Sequence, residues 1–96
     1  MAPQDLVQFE EDARRAGYDE IVERRWPPNT VVDTHRHPFD AHAIVVDGEM
    51  WLTCDEQTRR LQPGDTFDLE TGQLHAERYG PDGATYLVAR RNAPVA

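Results

Sequence analysis

The 96-residue sequence contains no lysine, and that absence excludes a class of partner. Proteins that bind duplex nucleic acid use clustered Lys and Arg to displace counterions. Here the ten basic residues are all arginines. Most of them come as pairs, Arg14-Arg15, Arg24-Arg25, Arg59-Arg60 and Arg90-Arg91, with acidic residues between. The net charge of −8 describes an acidic surface, and no nucleic-acid partner is expected. Cysteine is nearly absent as well. Cys54 is alone, so no internal disulfide can form, and it reads as a small buried hydrophobe. No apolar run approaches the roughly 20 residues needed to cross a bilayer, so no membrane partner is expected. The first five residues, Met1 to Asp5, carry neither the basic head nor the apolar segment of a signal peptide. A cytoplasmic location is the expectation.

What is present suits one domain over residues 1–96, since a chain this short builds a single core. Leu6, Phe9 and Ala13 recur at helical spacing between Pro3 and Gly17, so residues 1–17 are expected to hold a short helix. Asp5, Glu10, Glu11 and Asp12 crowd the helix's first half, and Arg14-Arg15 close it, as the helix dipole favours. After Gly17 the texture changes to short runs of Val, Ile, Thr and aromatics between turn signals. Strands are expected over 20–26, 31–37, 41–46, 50–54, 58–61, 66–69, 75–79 and 84–89. Breaks are expected at Asp47-Gly48 and at Gly80-Pro81-Asp82-Gly83, among others. Eight short, closely spaced strands predict an all-β barrel or sandwich over 20–90, with the helix on its outside or over an edge, and a disordered tail over 91–96.

Four histidines carry the chemistry: His35, His37, His42 and His75. His35 and His37 form a His-x-His pair at the end of a strand-like run, and side chains two apart on a strand point the same way. If that side is the barrel interior, two neutral imidazoles face one space. His75, opening another strand, is the candidate for a third. A lone His-x-His fits a surface or structural role equally well.

The surrounding residues add a resemblance. The stretch from His35 to Gly48 resembles the first cupin motif: His-x-His, three or four residues, Glu, then a short strand closing on Gly. The stretch Pro63-Gly64-Asp65 to His75 resembles the second: Gly-Asp, a strand, Pro-x-Gly, two residues, His. The motifs stand in the family's order and cover about half the chain with their linker. The resemblance implies a small antiparallel β-barrel or jelly roll with a short N-terminal helix, holding one divalent transition metal (Zn, Ni, Mn, Cu or Fe) on histidines.

Three positions depart from the pattern. Glu70 replaces a Pro, Tyr79 replaces an Asn, and the glutamate ligand of the first motif is missing. With three intervening residues its place falls on Ala41, and with four it falls on His42. His42 is an odd number of residues from His35 and would face outward on one unbroken strand, but a turn at Pro38 and Asp40 resets that parity. His42 therefore stands as the fourth candidate ligand beside His35, His37 and His75. Asp40 and Glu77 are alternative oxygen ligands, although Asp40 also suits a turn cap and Glu77 a rim or solvent position.

Trp26, Phe39, Trp51, Phe67, Tyr79 and Tyr86 are the candidate pocket lining. Three neutral ligands leave a site at +2, which favours an anionic or chelating small molecule. Catalytic residues are not identifiable, and no separate general base is visible. The readings that follow are a metal-dependent enzyme, oxygenase-like or related, on a small polar or carboxylated molecule, a non-catalytic ligand-binding module, and a vestigial cupin without metal. The resemblance also implies a homodimer, formed by pairing barrel edges or swapping a strand.

Overall fold

In the computed structural model, which describes residues 3–92, the chain starts as a helix, α1 (Pro3–Arg15). Proline at its first position, Asp5 in its first turn and Arg14 and Arg15 in its last suit the two helix ends. Its end is a Schellman turn. Gly17, at φ +93°, donates its N–H to the Arg14 carbonyl at 3.0 Å, and Tyr18 donates to Ala13 at 3.0 Å. Phe9 and Ala13 bury one stripe of the helix against Ile44 and Ala89, so α1 lies on the outer face of the sheet.

Six antiparallel strands follow: β1 (Glu20–Trp26), β2 (Val31–His35), β3 (Phe39–Cys54), β4 (Gln57–Leu61), β5 (Thr66–Leu69) and β6 (His75–Asn92). Eight were expected. The runs at 41–46 and 50–54 join into β3, and those at 75–79 and 84–89 join into β6. The Gly- and Asp-rich signals between them mark bends within strands, where the β3–β6 register shifts at Val45/Asp47 and again at Gly48/Met50. Gly48 pairs with Ala84 and Met50 with Tyr79, so residues 80–83 of β6 stand opposite Glu49 alone. Gly48 is at φ +79°, and a Cβ there would overlap the Gly83 carbonyl oxygen. β6 also runs on to Asn92, so Arg91 and Asn92 belong to the sheet, and residues 93–96 of the expected tail lie outside the described residues.

The two long strands serve two halves of one barrel. Their outer segments, 39–48 and 84–92, pair with each other and are flanked by β5 and β1. Their inner segments, 50–54 and 75–79, are flanked by β4 and β2. The shared bend also switches which residues face inward. On β3, Ala41, Ala43 and Val45 are buried in the core before it, and Met50 and Leu52 after it. On β6 the inward set changes from 75, 77 and 79 to 84, 86 and 88. The fold is the expected all-β jelly-roll barrel with a short N-terminal helix.

Candidate metal centre

His35, the last residue of β2, is the register partner of His75, the first of β6. Their ring centroids are 4.2 Å apart. His37, just beyond β2, sets its ring edge-on to His35 at 4.8 Å and 5.1 Å from His75. One nitrogen from each of the three rings lies within 4.8 Å of those of the other two. The loop before β6 is tied to the same place, because Gly72 donates its N–H to the His37 carbonyl at 2.9 Å.

Local hydrogen bonds aim the rings. His35 Nδ1 lies 2.8 Å from the Asp33 carbonyl, and His75 Nδ1 lies 3.0 Å from the Gln73 carbonyl. A carbonyl only accepts, so both Nδ1 atoms carry a proton, and Nε2 is the nitrogen each ring turns to the cavity. His75 is 2% exposed, and its Nε2 is buried with no hydrogen-bond partner among the described residues. A buried polar atom left so costs about 1–3 kcal/mol unless something occupies the place opposite it. His37 stacks on Phe39 at 4.8 Å. Burial first, then the nearby His75, His35, Arg90 and Arg24, lowers its pKa to about 4, so at neutral pH His37 is an uncharged imidazole. Three imidazoles gathered in one place, one with an orphaned nitrogen, are a donor set that fits a borderline divalent metal.

The rings stand in a cavity of about 120 Å³. That is below the 300–1,000 Å³ usual for drug-sized ligands, and it suits an ion with a small molecule. Trp26, Phe39, Phe67 and Tyr86 line it together with Ala41, Glu77 and Val88. Glu77 is 5% exposed. Its Oε1 accepts hydrogen bonds from the Tyr79 hydroxyl at 2.8 Å and the Tyr86 hydroxyl at 3.4 Å. Tyr86 in turn accepts one from Trp26 Nε1 at 3.2 Å. Burial raises the pKa of both phenols, so both stay protonated donors. Glu77 Oε2 lies 3.7 Å from His35 Nε2.

A model of the cupin domain family matches residues 22–88. The chain belongs to the cupin family. No curated protein matches its sequence. Among solved structures, KdgF from Halomonas sp. is similar with a TM-score of 0.63 and 27% identity, over 75% of this chain and 68% of that one. A crystal structure of DMSP lyases gives 0.71 and 24%, over 76% of this cupin and 38% of the other chain. Bacillus subtilis oxalate decarboxylase gives 0.68 and 22%, over 79% and 22%.

Within this cupin, the structure brings together three of the four candidate ligands and not the fourth. His42 is a correction. No bend separates it from the buried Ala41 and Ala43, so parity turns it outward. There it stacks on Phe9 at 5.0 Å, and its Nδ1 meets Asp68 Oδ1 at 2.6 Å, beneath α1. Asp40 is not at the cluster either. Its Oδ1 accepts from the Thr71 N–H at 2.8 Å and the Thr71 hydroxyl at 2.9 Å, and its Oδ2 meets Arg91 at 3.0 Å. The Thr71 bond and then Arg91 lower its pKa, which fits an ionised turn anchor.

Two of the six lining candidates also need correction. Trp51 follows Met50 on the outward side of β3, where the Arg78 guanidinium covers it at 4.0 Å. Tyr79 is buried in the core, stacked on Trp26 at 5.2 Å, and meets the site through Trp26 and Glu77 without lining it. Glu77, expected at the rim, is inside because it shares the face of His75. Arg24 and Arg90 also line the cavity, their guanidiniums set over Trp26 at 5.1 Å and Phe39 at 4.8 Å. The available signal was parity: Arg24 lies two residues before Trp26, and Arg90 two after Val88.

Proposed function

We propose that this cupin holds one divalent transition metal on His35, His37 and His75 and acts there on a small carboxylated molecule. The observation that carries the reading is the buried Nε2 of His75, without a partner among the described residues, beside two more imidazoles. Zn, Ni, Mn, Cu and Fe all suit such ligands. One structural neighbour, Bacillus subtilis oxalate decarboxylase, has Mn(II) centres. When bound, a metal of this kind supplies Lewis acidity to an oxygen at its open position.

The chain's own residues set the substrate class. Arg24 and Arg90 put two positive charges on a lining that, besides the three histidines and Glu77, is apolar and aromatic. Arg90 Nε is buried without a partner among the described residues, a donor suited to a carboxylate. Phe39, Phe67 and Val88 exclude water around it, which strengthens each polar contact. The volume restricts the substrate to a few heavy atoms.

A non-catalytic binding module is the second reading. It is favoured by Glu77 being, among the described residues, the only carboxylate in the cavity lining, with Oε1 already engaged by two phenols. Association as a homodimer belongs to the same proposal, since β1, β2, β4 and β5 are each paired along one side only among the described residues.

Titration calorimetry with Zn(II), Ni(II) and Mn(II) tests the reading. One equivalent bound by the wild type and none by His75→Ala is expected. Small mono- and dicarboxylic acids should then bind only the loaded protein, and turnover of one separates enzyme from binding module. No binding of any of the three ions contradicts it.

A further inference from the structure

The first cupin motif lacks its carboxylate, and a carboxylate stands on another wall of the same cavity. Ala41 occupies the motif position on β3 and lines the cavity with a methyl group. Glu77 enters the cavity from β6, two residues after His75 and on the same face.

The surroundings of Glu77 are half complete. A buried carboxylate is costly unless its charge is met. Oε1 is met by the Tyr79 and Tyr86 hydroxyls. Oε2 receives no hydrogen bond among the described residues, and His35 Nε2 lies 3.7 Å from it. With Nδ1 of His35 turned to the Asp33 carbonyl, Nε2 is the ring nitrogen that faces Oε2. The two atoms face each other across a gap of 3.7 Å. Metal–ligand bonds of roughly 2.1 Å set ligand atoms about 3.4 Å apart around a tetrahedral ion, close to this spacing. A cation between them satisfies both atoms.

We infer that Glu77 Oε2 is the fourth ligand of the centre, a carboxylate delivered by the second motif's strand in place of the first motif's glutamate. The two phenols, backed by Trp26, hold Oε1 and so direct Oε2 at the histidines. The inference rests on the metal reading above. It also lowers the charge of the loaded site from +2 to +1.

The test compares wild type, Glu77→Gln, Glu77→Ala and His75→Ala. Zn(II) affinity is read by competition with a chromophoric chelator, and carboxylate bands by infrared difference spectra on adding one equivalent of Zn(II). Outer partners of metal ligands cost 10–100-fold in affinity when removed, so loss of a ligand should cost at least about 100-fold in both Glu77 variants. A shift of one carboxylate band in the wild type, absent from Glu77→Gln, is expected. Affinities within threefold of wild type in the Glu77 variants, with His75→Ala binding nothing, overturn the fourth ligand and leave the three-histidine site standing. No carboxylate shift in the zinc-loaded wild type overturns it without recourse to any variant. Absence of zinc binding by the wild type removes the metal reading itself, and this inference with it.

Discussion

His35 and His75 face each other across β2 and β6 with ring centroids 4.2 Å apart, and each turns Nδ1 to the carbonyl two residues earlier in its own chain. The same local device, used once at the end of a strand and once at the start of another, leaves both Nε2 atoms free for one point. A binding site assembled this way exists before its ligand arrives, so little ordering cost remains at binding.

Metal should therefore stabilise the fold. At 100 times the dissociation constant the gain is about 2.7 kcal/mol. Thermal melts should rise on adding Zn(II) or Ni(II), return on adding chelator, and not respond in His75→Ala.

The metal-free protein should lose stability as pH falls. The His37 pKa of about 4 lies below the ordinary 6.5, so between those values the unfolded chain binds the extra proton and the folded one does not. The contribution is complete above about pH 6.5 and gone below about 4. Discounted for the ring's partial exposure, it is on the order of 1–2 kcal/mol. Denaturant unfolding from pH 7.5 to 4.5 should show this fall, and His37→Phe should show a smaller one.

Arg90→Gln should leave metal content unchanged and weaken binding of a small carboxylate to the loaded protein by roughly tenfold or more, the loss of one charge-assisted hydrogen bond. Competition calorimetry with such an acid reads this. An unchanged affinity would place the anion elsewhere.

Gly48→Ala should destabilise the barrel by more than about 2 kcal/mol, because a side chain there meets both the unfavourable φ and the Gly83 carbonyl. Urea unfolding measures it. An effect under 0.5 kcal/mol would mean that the bend of β3 tolerates a Cβ.

The histidine trio was legible because two-residue spacing on a strand is a strong geometric statement, and because both motifs bracket it in order. The number of strands was not legible. Asp47-Gly48 and residues 80–83 carry the chemistry of a hairpin turn, and the same residues make the bulge that lets a long strand bend between two barrel halves. That bend decided the fate of His42, which lies on the near side of it and so keeps the outward parity. Glu77, Arg24 and Arg90 were hidden by their charge. A charged residue on a strand ordinarily reads as solvent-facing, and only the inward parity of His75, Trp26 and Val88 points the other way.

The most direct test of the central claim is elemental analysis by plasma mass spectrometry of untagged protein purified without chelator or added metal, with His75→Ala and His42→Ala beside it. The account predicts about one metal ion per chain in the wild type and in His42→Ala, and none in His75→Ala. Metal lost with His42→Ala, or a wild type that carries none and takes up none of Zn, Ni, Mn, Cu or Fe, would contradict it.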